Sequence, residues 1–221
     1  MNEQQTDIEK VDLVTSNGEY ISYAHIEDAK ISLECLRTSL PNICRYNGAI
    51  PCHLLWHLAL CVKIWETLHS KLYKYIPNDP KYIAACLALH DMHEVYVTDV
   101  VHGLKKYILD YVSIEKRFER HLFKTFGVPF PEASHDVHVV KIIDNIALLF
   151  EMEHFGHPGL SLACDRLCVA KELAYGQDSI IKDVRKKLVS EVLSMDADTA
   201  FSYILKAIDS YKESIKSPSV P

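Results

Sequence analysis

The stretch that decides the fold is KYIAACLALHDMHEVYVTD, residues 81–99. Its first half is apolar on almost every side of a helix, which is typical of a central, buried helix. His90 and Asp91 follow directly, and Glu94 lies one helical turn beyond His90 on the same face. A buried carboxylate must be paired or bound to a metal ion. The stretch therefore predicts a core helix that ends in a group of metal ligands.

Outside this stretch, apolar residues recur at helical spacing along most of the chain, which predicts an all-α protein. The exception lies near the start, where Asn17-Gly18 separates two short β-prone runs and predicts a small β-hairpin. The segment 26–40 is predicted to be a helix with Leu33 and Leu36 in the core. Further helices are predicted over about 52–76, 81–97, 114–126 and 139–155, with two or three more between 161 and 215.

The length of 221 residues fits one domain with a sizeable core, and no repeat or long linker divides it. We therefore expect a single domain over residues 1–216, followed by a disordered tail at 217–221. Its metal-site core would cover about 40–155, with a C-terminal helical extension over about 160–216. That extension would either cover the core or form an oligomer interface, and we expect a homo-oligomer.

Charge and composition exclude several classes of protein. A formal net charge of −6 at pH 7 argues against nucleic-acid binding, which usually needs a basic face. The longest apolar run, from Tyr82 to Leu89, is far shorter than the roughly 18 residues that a membrane span needs. The N-terminus has neither the basic start nor the apolar stretch of a signal peptide. These features predict a cytoplasmic protein with no membrane and no nucleic-acid partner.

The seven cysteines are an odd number in a chain without a secretion signal, so we expect reduced, mostly buried thiols. Cys164 and Cys168 have a spacing that fits one helix face, but no second pair completes a structural zinc site. No cysteine has a sequence setting that marks it as a nucleophile.

Two other apolar helices carry polar residues that are candidate partners for His90 and Asp91. His57 is surrounded in sequence by leucines, and Asp144 is surrounded by isoleucines and leucine. Taken singly, His57 fits a hydrogen-bonded core histidine, and Asp144 fits an exposed position or a salt bridge to Lys141. Together on three successive apolar helices, these imidazoles and carboxylates predict a site for a divalent cation.

The order His57, His90-Asp91, Asp144 resembles the signature of the HD-domain phosphohydrolase superfamily, whose helical domains hold a divalent metal ion with these four side chains. The resemblance covers roughly residues 15–155. It is closest to bacterial 5′-deoxynucleotidases and to phage-type deoxynucleotide (dATP) triphosphohydrolases. The stretches that carry it are ICRYNG at 43–48, HDMHEVYVTD at 90–99 with Leu104-Lys105, and KIIDNIALLFE at 141–151.

The resemblance also implies roles for residues outside the ligand set. Glu94 and Asp99 would act as general acid and base, or would orient the nucleoside. Arg45 would bind a substrate phosphate through its planar guanidinium, and Lys105 would neutralise polyphosphate charge. From the residues alone, Arg45 fits a surface ion pair and Lys105 a solvated patch. The metal, bound as a cofactor, would be Zn²⁺, Co²⁺, Mn²⁺ or Mg²⁺.

Some positions depart from the family pattern. Trp56 precedes the first histidine, where the family usually has a small polar or acidic residue. His53 and His57 form an HxxxH pair with ligand spacing, and His93 lies inside the turn that follows His90. Whether His53 or His93 joins the site is left open by the sequence.

The resemblance implies a small-molecule deoxynucleotide substrate. The RYNG stretch and the Lys105-Lys106 pair favour a triphosphohydrolase that releases deoxynucleoside and triphosphate from a dNTP. The alternative is a 5′-deoxynucleotidase acting on dNMPs, and an adenine preference would follow from the resemblance alone. A third possibility is a non-catalytic nucleotide-binding module, but Glu94 and Asp99 favour an enzyme. A purely structural helical subunit would require four coincidental buried polar groups.

Overall fold

The N-terminal hairpin forms where Asn17-Gly18 predicts it. In this computed structural model, which describes residues 12–72, 79–176, 181 and 183–216, strand β1 (Leu13–Val14) pairs antiparallel with β2 (Tyr20–Ile21). Gly18 has a φ of +80°, a left-handed conformation that glycine adopts without steric cost. The tail expected at 217–221 lies outside the described residues.

The rest of the regular structure in the described part of the chain is helical, so the predicted all-α fold with a small hairpin is confirmed. In chain order the α-helices are α1 (Leu33–Ser39), α2 (Leu54–Leu72), α3 (Pro80–Leu89), α4 (Glu94–Val97), α5 (His102–Lys105), α6 (Leu109–Phe126), α7 (Ser134–His154), α8 (Leu160–Arg166), α9 (Cys168–Tyr175), α10 (Arg185–Leu193) and α11 (Ala197–Lys216). Short 3₁₀ turns occur at Tyr23–Asp28, Leu40–Asn42 and Tyr46–Gly48.

The core forms around α2 and α3, as their apolar sequences predict. Helix α2 packs against α3, α7, α10 and α11, while α3 also contacts α6 and α7. From Ile83 to Leu89, all but one of the side chains of α3 are buried. The metal-ligand candidates of α2, α7 and the end of α3 therefore meet inside the protein rather than on its surface.

The predicted helix over 26–40 is interrupted. The structure has a 3₁₀ turn at Tyr23–Asp28, and α1 begins only at Leu33. Ser32 caps α1 because its hydroxyl accepts a hydrogen bond from the backbone N–H of Cys35. Leu33, which we expected in the core, is 53% exposed because it lies at the outer start of the capped helix.

The C-terminal extension covers the core rather than standing apart from it. It contains four helices, α8 to α11, where two or three were predicted, because the chain leaves helical geometry at Leu167 between α8 and α9. Helix α11 lies along α3 and α2. Trp56 explains part of this arrangement, since its indole N–H donates a 3.0 Å hydrogen bond to the carbonyl of Met195, just before α11.

Within the described ranges, none of the helices combines the length and the apolar character that crossing a membrane requires.

Candidate metal centre

Three helices bring the four predicted ligands together. His57 lies on α2, Asp144 on α7, and His90 and Asp91 at the end of α3. The Nε2 atom of His57 is 3.3 Å from Oδ1 of Asp144 and 3.8 Å from Oδ2 of Asp91. The Nε2 atom of His90 is 3.3 Å from the same Asp91 oxygen. The residues predicted from the sequence as ligands are therefore neighbours in space.

Both histidines turn the same ring nitrogen into this group. The Nδ1 atom of His90 lies 2.8 Å from the carbonyl of Leu87, and because a carbonyl only accepts, Nδ1 carries the proton. The Nδ1 atom of His57 lies 2.7 Å from Oε1 of Glu151, which orients the ring in the same way. The buried Nε2 of His90 has no hydrogen-bond partner among the described residues. Two Nε2 lone pairs beside carboxylates fit a divalent cation.

Cys61 is a neighbour that the sequence analysis did not select. His57, Cys61, His90 and Asp144 each offer one ligand atom, and these atoms all lie within 4.8 Å of one another. Cys61 follows His57 by one turn of α2, so its side chain points to the same side of the helix. That spacing was the available signal, but the apolar sequence around Cys61 made it resemble an ordinary core cysteine.

Glu151 is a second residue of the candidate site to which the sequence analysis gave no role. It lies two turns after Asp144 on α7 and is 1% exposed. One of its oxygens binds His57, and the other accepts a 2.8 Å hydrogen bond from the hydroxyl of Tyr46. A carboxylate behind a metal-ligating histidine fixes the ring orientation and makes the ring a stronger donor.

Arg45 faces this buried network rather than solvent. Its Nε is 3.4 Å from Glu151 and its Nη1 is 3.5 Å from Asp91, and only 9% of the residue is exposed. Burial lowers its pKa, but Glu151, Asp144 and Asp91 outweigh that effect and raise the pKa well above its usual value. The guanidinium thus offsets carboxylate charge in the site, and its binding of substrate phosphate stays a prediction.

Without a metal ion, the charges of the predicted ligands favour one another's ionised forms, and a bound cation would take the place of the Nε2 proton of each histidine. Burial alone would lower the pKa of His90, but Asp91 and Asp144 outweigh it and raise that pKa. Burial alone would raise the pKa of Asp91, but His90 and His57 lower it well below its usual value. The pKa of Asp144 is lowered in the same way, because the hydrogen bond and charge of His57 outweigh burial.

The pKa of Glu94 is shifted in the opposite direction from those of Asp91 and Asp144. The chain leaves α3 before α4 begins at Glu94, which is buried with 4% of its surface exposed. Burial, followed by the charges of Asp91 and Asp99, raises its pKa to about 9. Its Oε2 has no hydrogen-bond partner among the described residues. Glu94 thus places a buried, protonatable carboxyl group within electrostatic reach of Asp91.

An unusual turn places Asp99 after α4. Thr98 has a φ of +64°, which is rare for a β-branched residue, and its carbonyl accepts a 2.7 Å hydrogen bond from the hydroxyl of Tyr111. Asp99 follows this turn and is partly exposed. Its charge reaches Glu94, so the two predicted acidic residues belong to one electrostatic group.

A cavity of about 390 Å³ opens beside the candidate ligands His90, Asp91 and Asp144. Lys105 lines it and forms an ion pair with Glu115, while Nε2 of the buried His93 is 3.4 Å from the same carboxylate. The remaining lining residues are Cys86, Lys116, Glu119, Phe123, Phe130, Pro131, Val137, Val140 and Lys141. Lys105 thus faces the cavity, as its predicted role requires, but with a carboxylate partner.

Neither of the two additional histidines belongs to the ligand group found among the described residues. The ring of His53 lies tilted against that of Trp56, with 5.8 Å between ring centroids, and lines a groove with Pro51 and Phe155. His93 lines the cavity beside Glu115 instead. The HxxxH spacing therefore does not bring His53 to the centre, because its ring lies against Trp56 instead.

The Glu151→Gln substitution is expected to lower affinity for a divalent cation by about 10- to 100-fold, since the orienting charge behind His57 is lost. Affinity is measured by competition with a chelator. The matched control is Glu153→Gln, which removes a carboxylate of the same helix that pairs with Arg185 at 3.0 Å. Equal affinities in the two variants would show that Glu151 does not orient the ligand.

In the metal-free protein, the free energy of unfolding is expected to fall as the pH rises from 6.5 towards about 9. The lower limit is the usual pKa of histidine, and the upper limit is the pKa of Glu94 in the folded protein. Folding raises the pKa of Glu94 and of His90, so each stabilises the fold while protonated and loses that contribution as the pH passes its folded pKa. The pKa values of Asp91 and Asp144 are lowered in the folded protein. These two residues therefore change the stability only at a pH near or below their usual value of 3.8.

This pH dependence is measured as the urea midpoint in the presence of a chelator. The Glu94→Gln variant should show a shallower decline over the same range, because it removes one of the titrating groups. A wild-type midpoint that is constant or rises between these pH values would contradict the prediction.

Comparison with known proteins identifies a similar protein, but that protein has no assigned activity. No protein-family model matches the chain. The chain is similar to the uncharacterized protein YfdR of Escherichia coli (strain K12), with 26% identity over 144 residues. The match covers 64% of this chain and 71% of that protein.

Proposed function

We propose that this protein is a metal-dependent phosphohydrolase of the HD type that acts on deoxynucleotides. The observation that carries the proposal is the convergence of His57, His90, Asp91 and Asp144 beside a cavity, with the protonatable Glu94 next to them. A divalent cation held by these side chains would acidify a water molecule and neutralise phosphate charge. The sequence resemblance gives the substrate class.

The residues of the chain supply positioning and proton transfer. His57 and His90 present fixed Nε2 atoms because Glu151 and Leu87 hold their Nδ1 atoms. With its raised pKa, Glu94 holds a proton at neutral pH that it can donate to a leaving oxygen. Arg45 lowers the net negative charge behind the ligands, so the phosphate of a substrate meets less repulsion.

Our preferred substrate is a dNTP, cleaved to deoxynucleoside and triphosphate. Three lysines line the cavity: Lys105, Lys116 and Lys141. A triphosphate gains more from several nearby cations than a monophosphate does. A specific observation keeps the 5′-deoxynucleotidase as the second candidate. Glu115 and Glu119 line the same cavity, and their charges favour a smaller anion.

The test is a chromatographic assay of the purified protein with Mg²⁺, Mn²⁺, Co²⁺ or Zn²⁺ and a panel of dNTPs and dNMPs. Deoxynucleoside with intact triphosphate is the expected result, and it should disappear when EDTA is added. Phosphate from dNMPs alone would replace the preferred substrate with the second candidate. Metal binding without any product would overturn the enzymatic proposal in favour of a nucleotide-binding module.

A further inference from the structure

We propose that Cys61 is a thiolate ligand of the candidate metal centre, and that the centre therefore selects Zn²⁺ or Co²⁺ over Mg²⁺. This inference rests on the metal centre of the proposed function but not on its substrate. It changes one ligand of that centre, because the mutually close donor group contains His57, Cys61, His90 and Asp144 but not Asp91. In this inference Cys61 is the fourth ligand, and Asp91 lies beside the metal as a partner of Arg45.

Two of the separations between donor atoms fit tetrahedral coordination, and the third requires His90 to move closer, since its Nε2 lies 4.0 Å from Oδ1 of Asp144. The Sγ atom of Cys61 lies 3.6 Å from Nε2 of His57, and Oδ1 of Asp144 lies 3.3 Å from the same nitrogen. With zinc–sulfur and zinc–nitrogen or –oxygen bonds of about 2.3 and 2.0 Å, each separation subtends roughly 110° at the metal. A cation bound by His57 and Asp144 would thus have the thiol of Cys61, on the same helix as His57, at a bonding distance, and His90 would complete the set by a small movement of its side chain.

Cys61 and Asp91 differ in exposure. The side chain of Asp91 is 24% exposed and pairs with Arg45, whereas Cys61 is fully buried. The thiol therefore supplies a donor on the inner side of the centre, and Asp91 lies on the side nearer the cavity that it lines. With the four protein donors bound, a water molecule would join as a fifth ligand from the side where His90, Asp91 and Asp144 line the cavity.

Charge balance also favours a sulfur ligand. On coordination the thiol releases its proton to solvent, so the thiolate and Asp144 together neutralise a divalent cation. The neighbouring charges also cancel, because Arg45 and Lys141 carry two positive charges against the two negative charges of Asp91 and Glu151, and the two histidines bind as neutral rings. A neutral cluster is the least costly arrangement at a buried site. Thiolate ligands favour zinc-like cations, while Mg²⁺ prefers oxygen ligands and bound water.

The test is the absorption spectrum of the whole protein loaded with one equivalent of Co²⁺. A thiolate ligand gives a near-ultraviolet sulfur-to-cobalt charge-transfer band, which histidine and carboxylate ligands do not give. The band is expected in the wild type and in Cys35→Ser, a buried cysteine outside the ligand group, and it should be absent from Cys61→Ser. Zinc affinity of Cys61→Ser should fall by about 10-fold or more in chelator competition.

Bound Co²⁺ without the band in the wild type would overturn the inference, and so would a band that persists in Cys61→Ser. The wild-type spectrum decides the question even where a variant fails to fold. Metal-dependent hydrolysis without the band would overturn the role of Cys61 alone, leaving the proposed function standing. Failure to bind any cation would overturn both.

Discussion

The Asp144→Asn variant is expected to bind a divalent cation more than about 100-fold more weakly and to show no measurable hydrolysis. This loss exceeds the usual effect of changing a residue that only orients a ligand. Asp144 lies between His57 at 3.3 Å and Lys141 at 2.6 Å, so its carboxylate faces both the metal position and a cation. Asparagine keeps the shape but removes the charge that binds the cation. Metal content after dialysis and the initial rate of hydrolysis are the two measurements.

The matched control is Asp136→Asn, which changes another buried carboxylate of α7 that pairs with His135 and lies outside the ligand group. This control should keep its metal even where its stability changes. If Asp144→Asn retained wild-type metal content and rate, the centre as described here would be wrong.

The Glu94→Gln variant is expected to bind metal normally and to lose about 10²- to 10⁴-fold in kcat, the range for removal of a general acid or base. Its pKa of about 9 keeps the carboxyl protonated at neutral pH, whereas glutamine cannot transfer that proton. The measurements are the metal stoichiometry and the steady-state rate on the best substrate of the panel.

Glu119→Gln provides the comparison, because it changes a cavity-lining carboxyl for which we propose no part in proton transfer. Its kcat should stay within a few-fold of wild type by that reasoning. Loss of folding or of metal in Glu94→Gln would make Glu94 a structural residue, and an unchanged kcat would remove it from the mechanism.

The ligand candidates His57, His90, Asp91 and Asp144 were accessible from sequence because each is a polar residue in an apolar helix. Such a residue is costly to bury, so its presence signals a compensating partner. Glu151 ends the KIIDNIALLFE stretch but received no role from the sequence, because it follows an apolar run near the end of α7, where acidic residues are common on exposed faces. Its burial depends on Tyr46 and His57, which are distant in the chain.

His53 and His57 illustrate the limit of helical spacing. The two histidines are four residues apart and would share a face within one helix, but α2 begins at Leu54. His53 therefore precedes the helix, where its backbone bridges to Cys44, and its ring lies against Trp56. Although the backbone N–H of His57 donates a 3.2 Å hydrogen bond to the carbonyl of His53, only the His57 ring belongs to the ligand group found among the described residues.

Sequence alone determined the helical class, the hairpin and the types of ligand, because periodicity and turn chemistry are local properties of the chain. Only the tertiary structure decided that both Nε2 atoms face each other, that Arg45 turns inward and that Cys61 reaches the same point as Asp144. Those features depend on the packing of α2, α3 and α7 against one another. Packing sets distances between residues far apart in sequence, and no local pattern encodes them.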